Sequence, residues 1–189
     1  LSVLNAILKY IKTFKNLNYT YRFVMLPETI GSIAYLSKKH KLLKKNIIFG
    51  LNLSCLGHHK EYSFVKTRYG NKICDEVMEA ALLNKKTKIY SYLDRGSDER
   101  QYCHPKIDLP INTFSKKKFH EFPEYHTSAD NLNLVSKKGL QESFTIIKTI
   151  IEFFELGVLP EANFLCEPFF LKYKKSNSLS TKESYNYSR

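Results

Sequence analysis

"NIIFGLNLSCLG", residues 46 to 57, is an almost unbroken apolar run about as long as one strand with its flanks. A strand exposed on one face alternates apolar and polar residues, whereas a strand covered on both faces reads as continuous apolar sequence. The run therefore predicts a strand covered on both sides, as in a sheet flanked by helices. Upstream, "ETIGSIAYLSKKH" at 28 to 40 has helical spacing, with Ile30, Ile33, Ala34 and Leu36 as its buried face. Before it, "YTYRFVML" at 19 to 26 is β-branched and aromatic, and Asn18 and Pro27 bound it as a strand.

The alternation continues on both sides. Val3, Leu4, Ile7, Leu8 and Ile11 mark a helix over 2 to 16. "EYSFV" at 61 to 65, "KIYSYL" at 88 to 93 and "DLPINTF" at 108 to 114 read as strands. "NKICDEVMEAALL" at 71 to 83 reads as a helix, as does "KKGLQESFTIIKTIIEFFELG" at 137 to 157, which Gly157 closes. Helices alternating with apolar strands define an α/β class with a mostly parallel sheet. Residues 1–168 are expected to form one domain, and the polar residues 169–189 a tail or linker.

Composition narrows the function classes. The 189 residues carry a net charge of +12, but the lysines come as scattered pairs at the ends of predicted elements and are not interleaved with aromatics. A nucleic-acid face is not expected. The longest apolar stretches are broken before the roughly 18 residues of a membrane span, and no secretory leader is recognisable, so a cytoplasmic protein is expected. Cys55, Cys74, Cys103 and Cys166 are widely spaced with no CxxC pair, which argues against a zinc knuckle and a disulfide framework.

In an open α/β sheet, ligands gather beyond the carboxyl ends of the strands. Glu28 follows the predicted strand 19 to 26; His58 and His59 follow the apolar run; Asp94, Asp98 and Glu99 follow 88 to 93; Glu124, His126 and Asp130 follow 108 to 114. Imidazoles and carboxylates meeting at one edge suit Zn²⁺ with an open position for water. Each residue also has a plainer reading: Glu28 as a first-turn acid of a helix, Asp98 as a helix cap, His126 as a surface histidine.

The segments "RFVMLPETIGSIAYL", "GLNLSCLG", "GSDERQYCHPKIDLPINTF" and "EYHTSADNLNLV", in that order, resemble the co-catalytic zinc aminopeptidases of the bacterial leucyl aminopeptidase type. They are most similar to an aminopeptidase-like group found with polysaccharide biosynthesis genes. The likeness covers residues 1–168, and "EYHTSAD" and "GSDERQY" are its most specific parts. It implies a three-layer zinc exopeptidase fold and a hydrolase of peptide or amide bonds. It also implies that His126 is a zinc ligand and that Glu28 is either a ligand or the general base. Asp98 would line the site and hold a substrate or a ligand, with Tyr125, Asp94 and Glu99 nearby. Asp130 or Glu124 would orient His126 through its second nitrogen.

Three departures from that pattern matter. A single acid, Glu28, stands where the family has an acidic pair. Asn52-Leu53-Ser54 stands where the family has a metal-binding Asp. The family takes another His and a bridging Asp from a segment preceding the first helix, and it continues after the tail into a winged-helix module. The chain is accordingly expected to be the C-terminal part of an aminopeptidase-like domain with an incomplete zinc site. Two function classes follow: a zinc-dependent hydrolase of small peptides or aminoacylated sugars, and a non-catalytic binding or scaffold protein with a degenerate metal site. Self-association, or a homo-oligomer, is expected of a sheet with an uncovered edge.

Overall fold

The computed structural model describes residues 1–59 and 61–157; the predicted tail 169–189, the boundary at 168 and Cys166 lie outside them. The chain runs α1 (Ser2–Ile11), α2 (Ile30–Asn46), β1 (Gly50–Leu53), β2 (Tyr62–Val65), α3 (Ile73–Ala81) and β3 (Thr87–Tyr90). A 3-10 turn (Tyr92–Asp94), α4 (Glu99–Tyr102), β4 (Ile111–Ser115) and α5 (Lys137–Leu156) follow. The sheet order is β1-β4-β2-β3. β1 pairs with β4 and β2 with β3 in parallel, while β4 and β2 are antiparallel. The class is α/β with a mostly parallel sheet, as the alternation predicts.

Two apolar layers sandwich the sheet. Val3, Ile7 and Ile11 of α1, Val77 and Met78 of α3, and Ile146, Ile147, Ile150 and Ile151 of α5 pack with Phe64 and Phe114. Leu36 and Leu43 of α2 pack with Tyr102, Leu109 and Ile111. Helix α5 is seated by Gly139, where a Cβ would lie 2.2 Å from the Gly57 carbonyl oxygen, so only glycine lets the helix start approach that turn. Behind this contact, the buried Lys116 Nζ sits 2.6 Å from Glu142 Oε2 and 3.4 Å from the centroid of the Tyr62 ring.

The structure corrects three sequence expectations. The apolar run 46 to 57 is not a strand covered on both faces. Asn46 still belongs to α2, Ile48 is exposed, and only four residues form β1, half-buried at the edge of the described sheet. The strand with every residue buried is β4, whose Ile111 packs in one layer and whose Phe114 packs in the other. Residues 19 to 26 form no strand, because no backbone-to-backbone hydrogen bond reaches them among the described residues. Side chains hold that segment instead: Asn18 N–H and the Tyr21 hydroxyl each donate to the Glu155 carboxylate at 2.7 Å, and Tyr21 and Phe23 pack against the core.

Helix α2 buries a different stripe from the one expected. Ser32, Leu36 and Leu43 face inward, while Ile30 and Ile33 are 78% and 50% exposed. The phase is set at the first turn. Thr29 is left-handed (φ 64°), the helix starts only at Ile30, and the Ser32 hydroxyl is drawn onto Asp98. A polar tether therefore outweighs apolar periodicity in choosing which face turns inward.

A candidate carboxylate site at the ends of strands β1 and β4

The antiparallel junction sends the carboxyl ends of β1 and β4 to one edge of the sheet and those of β2 and β3 to the other. Strand ends from all four therefore do not converge, contrary to the expectation that placed every candidate at one edge. Asp94 shows the consequence. It is exposed and accepts the Ser91 hydroxyl at 3.1 Å, closing its own turn after β3.

The chain returns from that turn to lay Gly96–Glu99 against Asn52 of β1 and Thr113 of β4. Glu99 is fully buried, with Oε1 accepting the Gly96 and Ser97 N–H groups at 2.6 and 2.9 Å. Its Oε2 accepts the Thr113 hydroxyl at 2.5 Å and the Asn52 amide at 3.4 Å. Asp98, also buried, accepts the Thr29 N–H and the Ser32 hydroxyl on Oδ1, both at 2.8 Å. Neither carboxylate forms an ion pair among the described residues, and each is stabilised by donors alone. Both are thus engaged internally. Asp98 ties Thr29 and Ser32, at the start of α2, to a distant part of the chain.

Glu28 is exposed, and its Oε1 accepts the Ser97 hydroxyl at 2.7 Å. Ser97 in turn accepts the Asn52 amide at 3.1 Å, and Asn52 also donates to the Thr113 hydroxyl at 3.1 Å. The tight turn after Glu28 requires Gly31, where a Cβ would lie 2.6 Å from the Leu26 Cβ and 2.9 Å from the Pro27 Cδ.

Electrostatics draw further residues to this carboxylate. Burial pushes the Cys55 thiol pKa up; the Ser54 hydroxyl at 3.4 Å opposes this, and the fields of Asp130 and Glu28 add to it. Burial also raises the Tyr125 phenol pKa, with Cys55 and Glu28 adding to the shift. The Glu28 charge thus acts on both Cys55 and Tyr125, and that of Asp130 on Cys55. The exposed His126 ring stacks on Tyr125 at 4.1 Å, His120 meets Tyr125 edge-on at 4.9 Å, and the buried His58 stacks on His59 and leans on Phe122. Among the described residues no hydrogen bond joins the His126 ring to Glu124 or Asp130; Glu124 contributes its carbonyl, which accepts from Thr127.

Thr29, Cys55, His120 and His126 all have positive φ without being glycine. Such conformations cost about 1–3 kcal/mol each and persist where surrounding bonds enforce them, most often at functional sites. The residues that sequence reasoning left without a role are Asn52, Ser97 and Thr113. A signal for them existed: Asn52 is the polar position in an otherwise apolar β1, Thr113 is one of three polar residues in the fully buried β4, and a buried polar side chain in a strand needs a partner.

The chain matches the family described as "Domain of unknown function (DUF4910)" over residues 1–157. A Clostridium acetobutylicum protein named for polysaccharide biosynthesis and an aminopeptidase-like domain is 37% identical over 153 residues, which are 79% of this chain and 35% of that protein. The chain therefore spans about a third of that relative's length. A crystal structure of a peptidase-named protein from Clostridium acetobutylicum is similar with a TM-score of 0.78 and 34% identity, over 90% of this chain and 40% of the other. An aminopeptidase from Aneurinibacillus sp. strain AM-1 shares the fold alone, with a TM-score of 0.55 and 21% identity over 67% of this chain and 30% of the other. A left-handed Pro27-Glu28-Thr29 turn pinned by a Ser97-Asp98-Glu99 segment thus sits in a peptidase-type sheet, and the chain belongs to the DUF4910 family, with an aminopeptidase-like fold.

Proposed function

We propose that this chain forms part of an aminopeptidase-like hydrolase that cleaves a peptide or amide bond, with Glu28 as its working carboxylate. The observation that carries the reading is the state of Glu28. One oxygen is fixed by Ser97, the other has no hydrogen-bond partner among the described residues, and the Glu28 charge acts on Tyr125, whose ring stacks on His126. A carboxylate so held can take a proton from attacking water and return it to the leaving amine as the C–N bond breaks.

Zinc is the metal that this class of site would use, with His126 nitrogen and Glu28 oxygen as suitable donors. Among the described residues, however, no three His, Cys, Asp or Glu side chains are gathered to hold a metal ion, so these residues alone do not fit a zinc site. Glu28 and His126 are a partial donor set in this proposal. The remaining donors would come from outside these 189 residues in a protein of the relative's length. A small peptide or an aminoacylated sugar is the substrate class in this proposal; the relative's name gives only polysaccharide biosynthesis and an aminopeptidase-like domain. No helix among the described residues is long and apolar enough to cross a membrane, and we place the protein in the cytoplasm, where the free thiols of Cys55, Cys74 and Cys103 would persist.

A second reading, a non-catalytic protein that kept the fold, is favoured by Ser54 at the metal-binding turn and by the missing third donor. Assay of the protein against an aminoacyl p-nitroanilide with added Zn²⁺ separates the two. Chelator-sensitive release that falls about 100-fold or more in Glu28→Gln, the loss typical of a general base, supports the hydrolase. No release by a chain extended to the relative's length overturns it and leaves the second reading.

A further inference from the structure

The segment Ser97-Asp98-Glu99 makes a separate attachment with each of its side chains, and those of Ser97 and Asp98 reach the turn that carries Glu28. Asn52 donates to the Ser97 oxygen at 3.1 Å, so the Ser97 proton is directed onto Glu28 Oε1 at 2.7 Å. The Thr113 hydroxyl donates to Glu99 and accepts from Asn52, which fixes the polarity of the chain Asn52 to Ser97 to Glu28 in one direction. Asp98 binds the amide of Thr29, the residue after Glu28, and holds it left-handed. Arg100, one residue further on, reaches the Thr29 hydroxyl at 3.4 Å. Glu99 locks the segment's own backbone and ties it to β1 and β4.

We infer that Ser97-Asp98-Glu99 is a clasp that aims Glu28: Ser97 and Asp98 are positioning residues that act through Glu28 and do not contact substrate. The inference rests on the reading of Glu28 as the working carboxylate. Two features separate the clasp from a simple helix cap. An Ncap side chain is ordinarily supplied by the helix's own first residues, whereas Asp98 lies 69 residues from Thr29 in sequence. Ser97 touches no group of α2's backbone, and its proton goes to the Glu28 side chain alone.

The test uses Ser97→Ala, Ser97→Thr, Asp98→Ala and Glu28→Gln, read by NMR and by turnover. In Asp98→Ala the Thr29 amide should exchange at least about tenfold faster while the middle of α2 stays protected, the effect of losing one bond to a charged acceptor. In Ser97→Ala the Glu28 carboxyl ¹³C resonance should move, kcat should fall about 10- to 100-fold and KM should hold, with Ser97→Thr restoring both signals. An unmoved Glu28 resonance in Ser97→Ala together with unchanged Thr29 exchange in Asp98→Ala overturns the clasp. If Asp98→Ala does not fold, the Glu28 resonance in Ser97→Ala and Ser97→Thr decides alone. Full turnover in Glu28→Gln, or none in the unaltered sequence extended to the relative's length, removes the working-carboxylate reading. The resonance and exchange measurements still decide the clasp in either case.

Discussion

Glu99 is a carboxylate with no exposed surface and donors on both oxygens. Glu99→Gln turns one acceptor into a donor facing a donor, and the expected loss is about 2–3 kcal/mol, measured by urea unfolding. Gly31→Ala should cost about 1–3 kcal/mol in the same assay, because a methyl there collides with Leu26 and Pro27. At this scale the sequence was partly legible. Glu28, Asp98 and Glu99 stood out as acids between apolar segments, and the structure brings them together through Ser97 and Thr29. The use of Asp98 and Glu99 was not legible, since a carboxylate facing a ligand and one facing backbone amides look the same in sequence.

Helix α5 was the most readable element. Ser136 accepts the Gly139 N–H at 2.9 Å, an apolar stripe follows, and Gly157 ends it. Ser136→Ala should lower stability by about 1 kcal/mol, seen as a shift in denaturation midpoint with an unchanged slope. Strand β2 and helix α3 were legible for the same reason: local pattern and burial agree there. The segment 19 to 26 and the face of α2 were not. A strand exists only when a neighbour pairs with it, and residues 19 to 26 have strand chemistry without a paired neighbour among the described residues. The direction of each strand was equally hidden, and one reversal between β4 and β2 sent the end of β3 to the edge opposite those of β1 and β4.

For the whole molecule, burial and nearby charges hold Cys103 and Tyr102 neutral. Burial comes first for both, and each pKa is raised to about 12, from 9.0 and 10.0 respectively. A folded pKa above the unfolded one gives stability that is complete below pH 9 and lost as pH rises toward 12. The thermal midpoint should therefore hold up to about pH 9 and fall above it; a flat profile would show that folding does not raise these groups. Met25, Ile30 and Ile33 are exposed beside the unpaired segment, and the chain should associate with rising concentration in light scattering; a clean monomer would contradict this. The bonds of the Glu28 clasp also fix an order of assembly. They join residues 69 positions apart, whereas the turns of α5 close between neighbours. Closing long loops is slow compared with winding a helix. A refolding chain should consequently protect the amides of α5 before that of Thr29, so that Glu28 takes up its position only once most of the protein around it has already formed.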